Sequence, residues 1–170
     1  ELNPQDLTAG VLPLWPALGF GFALMAALYA FAEVSGGHFN PAVSLAMFID
    51  RRLKLDDLVG YWLAQFLGAI LATLVLRIGF SQAKIAATAT VPSSDGSAFL
   101  LEIVLTAVFV AVILQSTKTQ RYGGTALVAI PLTLLLIQMA AVPVSGASVN
   151  PARTIAPALV GNHWKSEWIY

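Results

Sequence analysis

The residues best equipped for chemistry stand in two matched segments. Residues 35–44 read SGGHFNPAVS and residues 145–154 read SGASVNPART. Both keep Ser-Gly, three variable positions, Asn-Pro-Ala, one more variable position and a hydroxyl residue. Each asparagine offers an acceptor oxygen and two donor hydrogens, and Arg153 adds a permanent cation with five N–H donors. Such groups hold and orient small polar molecules. Bond-making chemistry finds no comparable set. The chain has no cysteine, which excludes disulfides, thiolate metal sites and thiol nucleophiles. Paired acids, a Ser/His arrangement and a phosphate loop with a lysine are all missing from the sequence, so no nucleophile and base stand together. The sequence implies no enzyme, no metal and no cofactor.

The elements that must position these residues begin at the motifs themselves. Asn is a favoured N-cap, Pro suits the first helical position and Ala is the best helix former, so each triplet predicts a helix start. The apolar run after Asn40 lasts to residue 49, and the one after Asn150 fades by Gly161. A helix of that length covers about 15 Å, half of the roughly 30 Å hydrocarbon core of a bilayer. Two half-helices in an apolar chain predict an inverted repeat whose helix N-termini meet at the membrane midplane.

Composition agrees. The chain has 170 residues, 58% hydrophobic and 11% charged, with a mean hydropathy of +0.78. Soluble domains carry about 25% charged residues, so an integral membrane protein is expected, embedded in a lipid bilayer. Lys+Arg and Asp+Glu balance at 9 each, which gives no electrostatic hint of a nucleic-acid partner. Apolar spans are expected at about 11–34, 58–80, 98–117 and 122–142. Pro13 and Pro16 fall in the first turns of the first span, and Pro131 is placed to kink the fourth. The polar run 50–57 and the Ala/Ser/Thr-rich segment 81–97, with Pro92 and Asp95-Gly96, read as loops. Arg51, Arg52, Lys54, Lys118 and Arg121 fall on one side of this topology, against Lys84, Lys165 and Arg77 on the other. The positive-inside rule puts the Asn40 loop on the cytoplasmic side and the Asn150 loop on the extracellular side of the cell membrane.

The two triplets, the second followed by Arg153, with the strings SGGHFNPAV and SVNPAR around them, resemble the aquaporin family of major intrinsic proteins. The resemblance runs over essentially the whole chain. It implies an all-α right-handed membrane bundle with two re-entrant half-helices, in one channel domain over 1–170. Repeat 1 would cover about 11–80 with half-helix 40–49, and repeat 2 about 98–170 with half-helix 150–160. Family members have six spans plus the half-helices, so the chain is expected to be a fragment lacking the first and last spans. A homotetramer is likewise implied by resemblance.

For such a channel, the expected pore motifs are Asn40, Pro41, Ala42, Asn150, Pro151 and Ala152. Backbone carbonyls of Gly36, Gly37, His38 and Phe39, and of Gly146, Ser148 and Val149, could replace lost hydration along a single file. The Asn40 and Asn150 amides would cap their helices through oxygen and donate to a passing water through nitrogen, while the two helix N-termini repel protons and cations. Arg153 stands where the helix dipole disfavours a cation, which argues for function. By resemblance it belongs to an aromatic/arginine filter with Phe20, Gln138 and Ala147, and a cysteine at 147 would be open to mercurials. Water-specific relatives usually carry His where this chain has Gln138, and glycerol-conducting ones Gly. Thr154 and Ala158 lean toward water. Glu102 matches a family glutamate that accepts hydrogen bonds from the second motif loop. His38 is expected to brace its loop, and Glu33 to end its span in water or, alternatively, to face the inner vestibule. The expected function is a passive water channel; the alternative is a facilitator of glycerol, urea or ammonia. A secondary transporter would need several midplane carboxylates for a coupling ion, and the motif residues have no such group beside them.

Overall fold

The computed structural model describes residues 14–87, 94–118 and 123–170. These residues form helices α1 (Leu14–Ser35), α2 (Pro41–Ile49), α3 (Leu55–Gly79), α4 (Gln82–Ala86), α5 (Asp95–Ser116), α6 (Gly123–Ser145) and α7 (Pro151–Gly161), then a 3-10 turn, Glu167–Ile169. Four of the helices, α1, α3, α5 and α6, are long and apolar enough to cross a bilayer. Their outward faces are apolar too: Trp15, Val34, Leu71 and Ile78 are 62–87% exposed. A helix that is hydrophobic all round yet uncovered by protein matches lipid as its solvent.

The expected half-helices are α2 and α7. Each starts on its proline, with the preceding asparagine extended and its side-chain oxygen accepting from the backbone: Asn40 from Ala42, and Asn150 from Ala152 and Arg153. α7 stops at Gly161 because Asn162 turns left-handed, a conformation Asn tolerates better than most residues. α1 lies along α6, and α6 along α5; α3 packs on both half-helices, and the half-helices touch each other. The core between them includes Leu28, Val43, Met47, Phe109, Ile130 and Ile137, together with Ala147 and Val149 of the second loop. The two loops are therefore seated inside the helix layer rather than on its surface.

Some boundaries depart from the sequence reading. α3 begins at Leu55, three residues before the expected span, because Asp56 and Asp57 sit in its first turn, where acids complement the helix dipole. Pro131 lies inside α6 as expected, and Pro143 does as well. Segment 81–97 is not simply a loop. Ser81 caps α4 by accepting from the Lys84 amide at 3.3 Å, and Asp95 and Gly96 already belong to α5. Pro13, Pro92 and Arg121 lie outside the described residues.

α4 exists because α7 leaves room for it. Ile85 is buried, and a Cβ built on Gly161 would stand 2.7 Å from the Ala86 Cα and 2.8 Å from its amide nitrogen. Those are backbone atoms and cannot swing aside. Gly161→Val is expected to destabilise the protein by about 1–3 kcal/mol, the usual range for forced overpacking. Faster amide exchange over 82–86, with α3 unchanged, would locate the damage at the α4–α7 contact.

Candidate functional site

The two motif loops repeat each other in backbone and in bonding. In the first, Gly36, Gly37 and Phe39 have positive φ; in the second, Gly146, Ala147 and Val149 do. These are the positions four, three and one before each asparagine. Glycine takes the left-handed region freely, whereas each of the three non-glycine residues is held there by its surroundings at a cost of about 1–3 kcal/mol. The holding contacts also come in pairs. Ser35 Oγ accepts from Gly37 N, as Ser145 Oγ does from Ala147 N. Tyr61 donates its hydroxyl to the Ser35 carbonyl, and Tyr170 to that of Ser145. His38 Nδ1 meets Ser44 Oγ at 3.0 Å, while Ser148 bonds Thr154 through their hydroxyls. The hydroxyl residue that the sequence repeats after each triplet thus locks a loop onto its half-helix.

The loops then join across the centre. Asn40 Nδ2 donates to the Val149 carbonyl at 2.7 Å, and Asn150 Nδ2 donates to the Phe39 carbonyl at 3.0 Å. This corrects the sequence reading in one respect. Each amide nitrogen spends a hydrogen on the opposite loop and keeps one for a visitor. The Phe39 and Val149 carbonyls, expected as bare rungs, each have a lone pair already engaged.

Glu102 holds the second loop from α5. Its Oε1 accepts from Ser148 N at 2.9 Å and Ser145 Oγ at 2.6 Å, and its Oε2 accepts from Val149 N at 2.8 Å. The first loop is braced from α3. Gln65 Nε2 donates to Ser44 Oγ at 2.8 Å, Trp62 Nε1 to the Pro41 carbonyl at 3.0 Å, and His38 stacks on Tyr61 at 4.5 Å between ring centroids. His38 is the expected loop brace. Tyr61, Trp62 and Tyr170 escaped the sequence reading; their one signal was a polar group beside an apolar span.

Four cavities with shared walls run past these loops. One of about 700 Å³ is lined by Pro16, Phe20, Thr73, Gln138, Gly146 and Arg153. Phe20, Gln138 and Arg153 also wall the next, about 300 Å³, with Asn40, Ser148 and Asn150. Beside it lies one of about 430 Å³ against His38, Tyr61, Gln65, Asn150 and Arg153. His38 then borders a fourth of about 630 Å³, lined by Glu33, Gly36, Arg52, Ser116 and Thr117. Both asparagines therefore lie between a cavity at the Arg153 end and one at the Arg52 end. Glu33 is exposed but borders the latter cavity, so it faces this space as well as ending its helix.

The structure brings Phe20, Gln138 and Arg153 together. The Arg153 Cζ lies 5.3 Å from the Phe20 ring centroid, within range of a cation–π contact. Its Nε and Nη1 are buried without a hydrogen-bond partner. Gln138 is 1% exposed; its Nε2 donates to the Ala147 carbonyl at 2.7 Å, and its Oε1 has no partner. The cluster thus holds two donors and one acceptor that are buried and unpartnered, an expensive arrangement. Ala147 is buried as Gln138 is, and its carbonyl is the acceptor of the Gln138 amide. At the Arg52 end, Arg52 pairs with Asp50 at 2.7 Å and donates to Thr117 Oγ1 and the Leu114 carbonyl, tying the end of α2 to α5.

The family model for major intrinsic proteins matches residues 5–170. The chain belongs to this family of membrane channels. It is 41% identical to Aquaporin Z of Brucella melitensis over 88% of this chain and 71% of that protein. It is 38% identical to Aquaporin NIP1-1 of Oryza sativa subsp. japonica, over 99% of this chain and 58% of the relative. A glycerol uptake facilitator protein-like 6 of Lactiplantibacillus plantarum is 37% identical over 90% of this chain and 74% of its own length. The chain thus spans roughly three-fifths to three-quarters of these relatives. Its family is one of channels rather than enzymes, and the four long apolar helices among the described residues make it a multi-pass integral membrane protein.

Proposed function

We propose that this chain forms the pore of a passive water channel that conducts in single file and excludes protons and ions. The observation that carries the reading is the pair of crossed asparagine bonds. Each amide is fixed at both ends, by its own helix and by the opposite loop, and each retains one donor hydrogen. A water accepting from both would have its lone pairs occupied and could not accept a proton from a neighbour. The half-helix N-termini add a positive potential of about half a charge each, which opposes protons and cations at the same place. Phe20, Gln138 and Arg153 form the constriction in this reading, and Glu102 is the structural acceptor that fixes the second loop. The inverted repeat makes one channel domain, the protein assembles as a homotetramer, and the Asn150 loop faces the outside.

A second reading, a facilitator of small neutral solutes, draws on the free Gln138 Oε1 beside the free Arg153 donors. Glycerol, urea and ammonia each carry donor hydrogens and an acceptor. Stopped-flow light scattering on proteoliposomes separates the two. Fast shrinkage in sucrose with no re-swelling in glycerol or urea is expected. Solute entry that Gln138→His abolishes would move the protein to the facilitator side, and no flow of either kind would end both readings.

A further inference from the structure

Three side chains form a short relay on the first motif loop. Gln65 of α3 donates through Nε2 to Ser44 Oγ at 2.8 Å, and Ser44 of α2 meets His38 Nδ1 at 3.0 Å. Ser44 has no exposed surface, and His38 and Gln65 are the partners of its hydroxyl among the described residues. The hydroxyl hydrogen therefore has one place to go. Gln65 already spends a donor on the oxygen, so the hydroxyl donates to His38 Nδ1. Turning the Gln65 amide over would gain nothing. Its Oε1 is buried without a partner, and the exchange would bury two unpartnered hydrogens in place of one oxygen.

A ring nitrogen that accepts carries no hydrogen, so His38 is neutral and holds its hydrogen on Nε2. Stacking on Tyr61, with centroids 4.5 Å apart and 21° between the planes, opposes a ring flip that would exchange the two nitrogens. Nε2 lies over Gly36, where an added Cβ would stand 3.3 Å from it. Gly36 and His38 both line the cavity at the Arg52 end, and His38 also lines the cavity that holds Asn40 and Asn150. Nε2 is not fully covered, and it has no hydrogen-bond partner among the described residues.

We propose that Gln65 is a positioning residue for the Arg52 side of the passage: through Ser44 it fixes His38 as the Nε2–H tautomer, so the ring offers the file a donor and no free lone pair. This rests on the reading of these cavities as a water passage. A water that accepts from Nε2–H keeps both its hydrogens for its neighbours, as a water at the asparagines does. The basic nitrogen is turned away under Ser44, so a proton arriving along the file meets no acceptor on this ring. The opposite tautomer would put a bare basic nitrogen in the same place. It would draw a hydrogen from each passing water and give a proton somewhere to rest.

The test is the imidazole 15N spectrum of the intact channel, labelled at histidine and held in lipid nanodiscs. The His38 signals are identified by their loss in His38→Asn. Wild type should show one tautomer, with a pyridine-like Nδ1 and a pyrrole-like Nε2. Gln65→Met keeps the bulk but frees the Ser44 hydroxyl to rotate, so both tautomers should appear. Ser44→Ala cuts the relay at its centre and should give the same mixture, which covers a Gln65→Met that fails to fold. Osmotic water flow in proteoliposomes should fall several-fold in Gln65→Met at matched protein content. A wild-type Nδ1 that carries the hydrogen, or variants that keep the wild-type tautomer, overturns the proposal and leaves the channel reading intact. A tautomer mixture with unchanged flow overturns it as well, by reducing Gln65 to a brace of the loop. Absence of water flow in wild type, with Nδ1 pyridine-like as expected, would overturn the channel reading alone.

Discussion

Replacing Glu102 with leucine is expected to undo the second motif loop and abolish flow. The carboxylate is 5% exposed and accepts from three donors: the amides of Ser148 and Val149 and the hydroxyl of Ser145. Leucine fills similar space but leaves those donors in a water-poor interior, where each unsatisfied group costs about 1–3 kcal/mol. Val149 and Ala147 also hold left-handed backbone that they would leave if released. Once Val149 relaxes, its carbonyl no longer meets Asn40, so damage beginning at α5 reaches the first loop as well. Glu102→Gln separates charge from shape. Whichever way its amide turns, the nitrogen faces a donor, since both carboxylate oxygens are in use. It should therefore lose most of the same stability in thermal unfolding in detergent, with faster amide exchange at Ser148 and Val149. A Gln variant as stable as wild type would mean that the loop is held by its packing and not by this acceptor.

How the loops hold together also explains which parts of the site the sequence could disclose. The half-helices were legible because their determinants are local: an N-cap, a proline and an alanine, with a short apolar run behind. Length and hydropathy likewise located the spans, with ends shifted where Asp56 and Asp57 could join a first turn. The left-handed backbone at Phe39, Ala147 and Val149 was not legible, because nothing in those side chains asks for it. It is imposed by tertiary bonds from Asn40, Asn150, Gln138 and Glu102. α4 was hidden for a related reason: five residues of weak pattern become a helix through a serine cap and the space above Gly161, and Gly161 is distant in sequence.

The asparagines allow the sharpest division between folding and conduction, because aspartate keeps one of their two tasks. In Asn150→Asp a carboxylate oxygen still caps Ala152 and Arg153, as Oδ1 does now. The donor to the Phe39 carbonyl at 3.0 Å is lost, and an anion replaces it beside the cavities. The variant is expected to fold, with a stability loss near the 0.5–1.5 kcal/mol of one ordinary hydrogen bond, and to leak cations that the wild type excludes. Asn40→Asp should fare worse. Asn40 is 4% exposed, so its carboxylate would be buried with one oxygen pressed toward the Val149 carbonyl that the amide now reaches at 2.7 Å. Burying a charge without a partner is far more costly than losing a neutral bond, and reduced abundance in the membrane is the expected result. The pair can be read in liposomes at matched protein content, with osmotic shrinkage for water and a trapped pH-sensitive dye under a potassium gradient for ions. Asn150→Asp that passes water and still excludes ions would confine the asparagine to capping, and ion exclusion would then fall to the half-helix termini and Arg153.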